Sequence, residues 1–152
     1  MITKLDTIVS AIKVGGVPLP FTHGKQSFLN AIADDKKFPF VHLDSPLADS
    51  ILLSDSGYIG REYKLKLFFL WKSELDWTPV QHNELAIKKA RLAVNEFLTR
   101  CQDAKDSDGN RIIDEVKEAS EMEVINLFDA NASGIVLSVT IKPSNFNSVC
   151  VN

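Results

Sequence analysis

The segment Arg61 to Trp71, REYKLKLFFLW, constrains the fold more than any other stretch of the chain. In its first half Tyr63, Leu65 and Leu67 alternate with Glu62, Lys64 and Lys66, the period-two pattern of a strand with one wet face. From Phe68 onward both faces turn apolar, because Phe68 and Leu70 join Phe69 and Trp71. One end of the strand therefore faces water on one side, and the other end must be covered on both. The cover comes either from the chain's own elements or from another subunit.

The flanking patterns place this strand in an α+β domain. Ile2, Leu5, Ile8, Val9 and Ile12 recur at helical spacing and stop before Gly15-Gly16, which predicts a short N-terminal helix. Residues 14–37 read as irregular, punctuated by Gly and Pro in GGVPLPFTHG, with a short helix over Gln26 to Ala33. Phe38 to Leu43 reads as a strand ended by Asp44-Ser45-Pro46, and Ile51 to Leu53 as a short second strand before the turn Asp55-Ser56-Gly57. Thr78, Pro79 and Gln81 form a capping-box helix start. The helix that follows runs to about Ala104. It presents Ala86, Ala90, Ala93, Val94, Phe97 and Cys101 on one stripe, with Glu84, Lys88, Arg91 and Asn95 opposite.

Beyond it, residues 103–121 read as an acidic loop, then Glu121 to Asp129 and Ile135 to Lys142 as a hairpin joined by Ala130 to Gly134. Residues 143–152 form a tail. The expected architecture is one domain over residues 1–152. It has a single, mostly antiparallel sheet of about four to five strands, a main helix packed on one face and a short N-terminal helix.

Composition narrows the function classes. The net charge of −3 over 152 residues argues against a dedicated nucleic-acid binder, which carries a basic excess or stripe. Between Asp103 and Glu123 eight acids face three bases, so that region is an acidic surface that repels phosphate or an ordinary solvated loop. Cys101 and Cys150 are too few for a disulfide framework, and reduced thiols in a bacterial-type cytosol are the economical reading. The N-terminus has Asp6 amid its apolar residues and no small-residue cleavage site, so no signal peptide is expected. No apolar run approaches membrane-spanning length, so the expected protein is soluble.

No catalytic or metal motif survives inspection. Asp106, Asp108, Gly109 and Glu115 imitate a calcium loop, but Ala104 and Arg111 stand where a carboxylate and an apolar residue belong. Gly24-Lys25-Gln26-Ser27 resembles a phosphate loop without its upstream glycine, whose place is taken by Leu19. His23, His42 and His82 are scattered, and Cys101 on the apolar stripe reads as core. Trp71 and Trp77 bracket the strand-to-helix connection as buried aromatics or as an oligomer interface. Neither a cofactor nor a metal is expected.

The order of elements is similar to that of the tail-terminator and head–tail connector proteins of tailed bacteriophages, also called tail-completion or neck proteins. Three stretches carry the likeness: FPFVHLDSP at Phe38 to Pro46, the strand–helix pair at 61–104, and a closing strand leading into the tail Ser144 to Asn152. The resemblance implies a non-enzymatic virion protein made in the host cytoplasm. It would form a homo-oligomeric ring, a hexamer or larger, that joins neighbouring neck or tail proteins and leaves a channel for DNA. Phe68, Leu70, Trp71, Trp77, Phe146 and Val149 are then the expected subunit contacts. Asp103, Asp106, Asp108, Asp114 and Glu115 are the expected channel-facing acids, past which DNA slides without specific binding. Two other classes stand beside it: a monomeric or dimeric adaptor module with a groove, and a small enzyme. The enzyme would need a concave pocket of titratable groups with shifted pKa values.

Overall fold

In the computed structural model the described residues are 1–25, 38–45, 47–127 and 131–144, the side chains of 58 and 59 excepted. Two helices and eight strands are present among them. Helix α1 (Ile2–Ser10) buries Leu5, Ile8 and Val9, the stripe its spacing predicts. Strands β1 (Lys13–Val14) and β2 (Val17–Pro18) form a small hairpin whose turn residues Gly15 and Gly16 have φ of 59° and 79°. Positive φ at both central positions is the type I′ requirement that glycine meets without strain. Strand β3 (Phe21–Gly24) lies parallel to β4 (Phe40–Asp44).

Strand β5 (Ala48–Ser54) pairs with β6 (Gly57–Lys72), the long strand that dominates the sequence. Helix α2 follows as an α-helical turn, Pro79–His82, a π-helical turn, Asn83–Ile87, and an α-helical segment, Lys88–Asp103. Its start has the capping box read from the sequence: Thr78 Oγ1 accepts from the Gln81 amide at 3.3 Å, and Gln81 Oε1 from the Thr78 amide at 2.8 Å. Strands β7 (Ile113–Leu127) and β8 (Ala132–Pro143) close the chain as an antiparallel pair.

These strands make a six-stranded sheet, ordered β3-β4-β6-β8-β7 with β5 also on β6, and the separate β1-β2 ribbon. The expectation of one sheet of about four to five strands is therefore corrected. The additional strands all come from residues 13–24, read as irregular because strands of two to four residues are too short to show a period. The predicted helix over 26–33 and the tail beyond Ser144 lie outside the described residues.

The sheet buries both faces unequally. Toward the helices, Leu65, Leu67, Phe69 and Trp71 of β6 join Ile135, Leu137, Val139 and Ile141 of β8 in the main core, with the α2 stripe from Ala86 to Cys101 laid over them. Phe69 meets Phe97 edge-on with ring centroids 5.9 Å apart. On the opposite face Phe40, Phe68, Leu70, Ala132 and Val136 form a second core, flanked by Phe38, Val124 and Leu127. The doubly apolar end of β6 is thus covered within the chain.

His42 is buried on that second face, 0% exposed. Its Nδ1 lies 2.8 Å from Thr22 Oγ1 and its Nε2 3.1 Å from the Gly24 carbonyl. A carbonyl only accepts, so Nε2 carries the proton and Nδ1 accepts from the threonine. Burial pushes the His42 pKa below 6.5 and His23 adds to this, against the opposing effects of the Gly24 carbonyl and Asp44. The folded state therefore resists a proton that the unfolded chain accepts. Stability is full above pH 6.5 and is lost as pH falls through the depressed folded value. Unfolding free energies measured by urea should decline below that point by up to about 1.4 kcal/mol per pH unit. His42→Gln should flatten the slope, and an unchanged slope would assign it to other groups.

Candidate assembly surface

The six residues 57–62 at the start of β6 have β5 as their only strand partner among the described residues, because pairing with β8 begins at Tyr63. β5 and this end of β6 form a two-stranded ribbon that extends about 20 Å beyond the sheet at 3.4 Å per residue. Along β5 every residue but Leu52 is exposed, and Ile51 and Leu53 remain 54% and 71% accessible. A register shift between Leu52 and Leu53 twists the ribbon, and Arg61 Nη1 clamps Asp49 Oδ2 at 2.5 Å across it. Such a ribbon is marginally stable by itself in water.

Strand β7 is the contrasting edge. It bonds to β8 alone among the described strands, and its outer backbone edge is long. However, it carries Asp114, Glu115, Lys117, Glu118, Glu121 and Glu123 and three register irregularities. Charge and bulges are the devices that stop an edge from adding further strands. In β5, sequence ADSILLS, Asp49 is the one charged residue, and it is already paired. The ribbon is thus an unguarded edge; the other edge strand, β3, is only four residues long. On α2, Val80, Leu85 and Leu92 are also exposed, at 70%, 42% and 57%.

The predicted contact residues fall elsewhere. Phe68 and Leu70 are 2% and 0% exposed in the second core, and Trp71 is 8% exposed in the main one, so their surface is consumed inside the subunit. Trp77 is half-buried against the main core, edge-on to His82 at 5.4 Å. Phe146 and Val149 lie outside the described residues.

The predicted acidic loop is also divided. Asp103 ends α2 and Asp106 and Asp108 sit in a tight turn, whereas Asp114 and Glu115 belong to β7. Asp103, Asp114 and Glu115 are brought around Arg111 in one shallow groove, and Asp106 faces a different cavity. The part of the strand before Glu121 was hidden because neither of its faces repeats apolar residues, most of it being exposed on both sides. Arg91, expected to face solvent, reaches β7 and bonds Glu121 at 2.8 Å and Glu123 at 2.7 Å.

A buried polar chain joins α2 to the β7–β8 end of the sheet. Ser73 Oγ lies 2.9 Å from Asn126 Oδ1 and 3.0 Å from the Asn131 carbonyl, both acceptors. Ser133 donates to Ser73 Oγ at 2.9 Å, and His82 Nδ1 is 3.2 Å from Ser133 Oγ. With the serine proton directed away, His82 Nδ1–H is the donor to Ser133, so that nitrogen holds a proton and is no base. Ser133 is itself 0% exposed. The Ser–His pair therefore ties elements together and has no geometry for nucleophilic attack. The Cys101 thiol is pushed up to about 12 by burial, which keeps it protonated and inert.

Among the described residues no group of three or more His, Cys, Asp or Glu is arranged to hold a metal, and no helix is long and apolar enough to cross a membrane. The open groove on the outer sheet face is lined by Lys64 and Lys66 against Asp44 and Glu118, a balance that selects neither sign of charge. No family model matches the chain, and no curated protein matches it.

Proposed function

We propose that this chain is a structural subunit of the head–tail junction of a tailed bacteriophage, acting by homo-oligomeric assembly into a ring. The observation that carries the reading is the β5–β6 ribbon, with Ile51 and Leu53 exposed on an edge that has no free charge to guard it. A ring needs two different patches that meet head to tail. The ribbon and the exposed apolar residues Val80, Leu85 and Leu92 of α2 supply two different surfaces for such contacts, on different elements. The acids Asp103, Asp108, Asp114 and Glu115 are exposed and suit a passage through which DNA moves without adhering, since affinity for phosphate follows cationic contacts.

The test is native mass by light scattering after size exclusion, over a range of concentration and salt. The expected species is a discrete ring of about six subunits or more. Ile51→Lys with Leu53→Lys should shift it to monomer with little change in melting temperature, because both side chains already face water in the isolated chain. A monomer at every concentration, alone and with neck proteins, would defeat the ring reading. An unaltered ring in the double variant would remove the ribbon from the contact.

A further inference from the structure

We propose that the cavity between α1 and the loop joining α2 to β7 binds a compact oxyanion of the phosphate class. The cavity has a volume of about 350 Å³, and Lys4, Lys105 and Arg111 line it together with the hydroxyl residues Thr3, Thr7 and Ser107. The loop puts two of the cations there by its own geometry. Asp106 Oδ1 accepts the amides of Asp108 and Asn110, each at 2.9 Å, Gly109 takes φ 82°, and the backbone of Lys105 pairs with that of Arg111. The third cation comes from the first turn of α1.

What marks this cavity is that three cations line it against a single acid, Asp106. Arg61, Lys88, Arg91, Arg100 and Lys117 all have a carboxylate partner. Lys4, Lys105 and Arg111 have none within 4.0 Å among the described residues, although Arg111 also borders the groove that holds Asp103, Asp114 and Glu115. Two of them are instead held on backbone carbonyls: Lys4 Nζ on Ser144 O at 3.0 Å and Arg111 Nη2 on Gln102 O at 2.9 Å. A carbonyl orients a cationic head without neutralising it. Asp106 is the single acid in the lining, and one of its oxygens is already occupied by two amides.

Donors outnumber the acceptors a planar carboxylate offers. Two ammonium groups, a guanidinium and the hydroxyls of Thr3 and Ser107 suit the four oxygens of a phosphate, the Thr7 hydroxyl being already donated to the Thr3 carbonyl at 3.0 Å. A polyanion is disfavoured, because Asp103, Asp108, Asp114 and Glu115 are exposed on the same loop or beside it. A small phosphate, free or borne on a small organic molecule, reaches the cations past that rim, and the cavity has room for the organic part. The assignment is independent of whether the chain forms a ring.

The experiment titrates the full chain with inorganic phosphate and, separately, glycerol phosphate. Chloride holds ionic strength constant, and the readouts are backbone amide shifts over 104–112 and thermal stabilisation. Saturable shifts at those amides are expected. Lys105→Gln should weaken binding at least about tenfold, the loss of one charge-assisted hydrogen bond. The Lys105 side chain makes no bond within the described structure, so the variant should fold as the parent does. Thr3→Val serves as a second, milder variant. Tighter binding of glycerol phosphate would assign a borne phosphate, and equal binding the free ion. No saturable response up to about 20 mM phosphate, a response unchanged by Lys105→Gln, or tighter binding to duplex DNA would overturn the proposal.

Discussion

Phe68→Glu is expected to abolish folding rather than to dissociate an assembly. The ring is 2% exposed, 6.4 Å from the His42 ring by centroids, and packed with Phe40, Leu70, Ala132 and Val136. Emptying such a site costs about 3 to 5 kcal/mol for a Phe-to-Ala change. A carboxylate left there adds a desolvation penalty of several kcal/mol. Together these approach or exceed the whole stability of an ordinary domain, about 5 to 15 kcal/mol. The Lys66 ammonium, 5.3 Å above the ring, is exposed and would have to surrender its water to pair with the new charge. Circular dichroism and the dispersion of amide resonances provide the check, with Phe68→Leu as the folded control. A well-folded Phe68→Glu protein altered only in native mass would restore Phe68 to a subunit contact.

Gly134→Ala should be the most damaging single-methyl change in the sheet. A Cβ built there would stand 1.9 Å from the Phe69 carbonyl oxygen, 3.0 Å from its carbon and 3.3 Å from Leu70 Cα. All three atoms are backbone of β6, the central strand, so no side chain can rotate away to make room. The strands must part locally, against a ladder that runs from Tyr63↔Ile141 to Lys72↔Ala132. Overpacking of this kind costs about 3 kcal/mol or more, which for a chain of this size lowers the melting temperature by about 10 °C. Differential scanning calorimetry of the variant measures it. A loss of only a degree or two would mean that β6 and β8 slide apart easily and that the close approach is not a constraint.

These two positions mark where local pattern stops being informative. Phe68 is recognisable as apolar on the side otherwise occupied by Lys64 and Lys66, but whether a neighbouring subunit or the chain itself covers it depends on residues distant in sequence, such as Phe40 and Val136. Gly134, following Asn131 by three residues, reads as part of a turn. It proves to be a strand residue within β8 whose missing side chain lets two backbones touch. Likewise, the acids Asp114 to Glu118 read as loop because an edge strand exposed on both faces needs no alternation.

The sequence by itself determined α1, the capped start and buried stripe of α2, the inward faces of β6 and β8, and the α+β class. Those features are set by neighbours within a few residues, through caps, periodicity and turn chemistry. Only the tertiary structure decided the six-stranded sheet and its parallel β3–β4 pair, the second core behind Phe68, the unguarded ribbon, and the meeting of Lys4 with Lys105 and Arg111. Each of those depends on contacts across tens of residues, where burial and charge are settled by what the fold brings alongside.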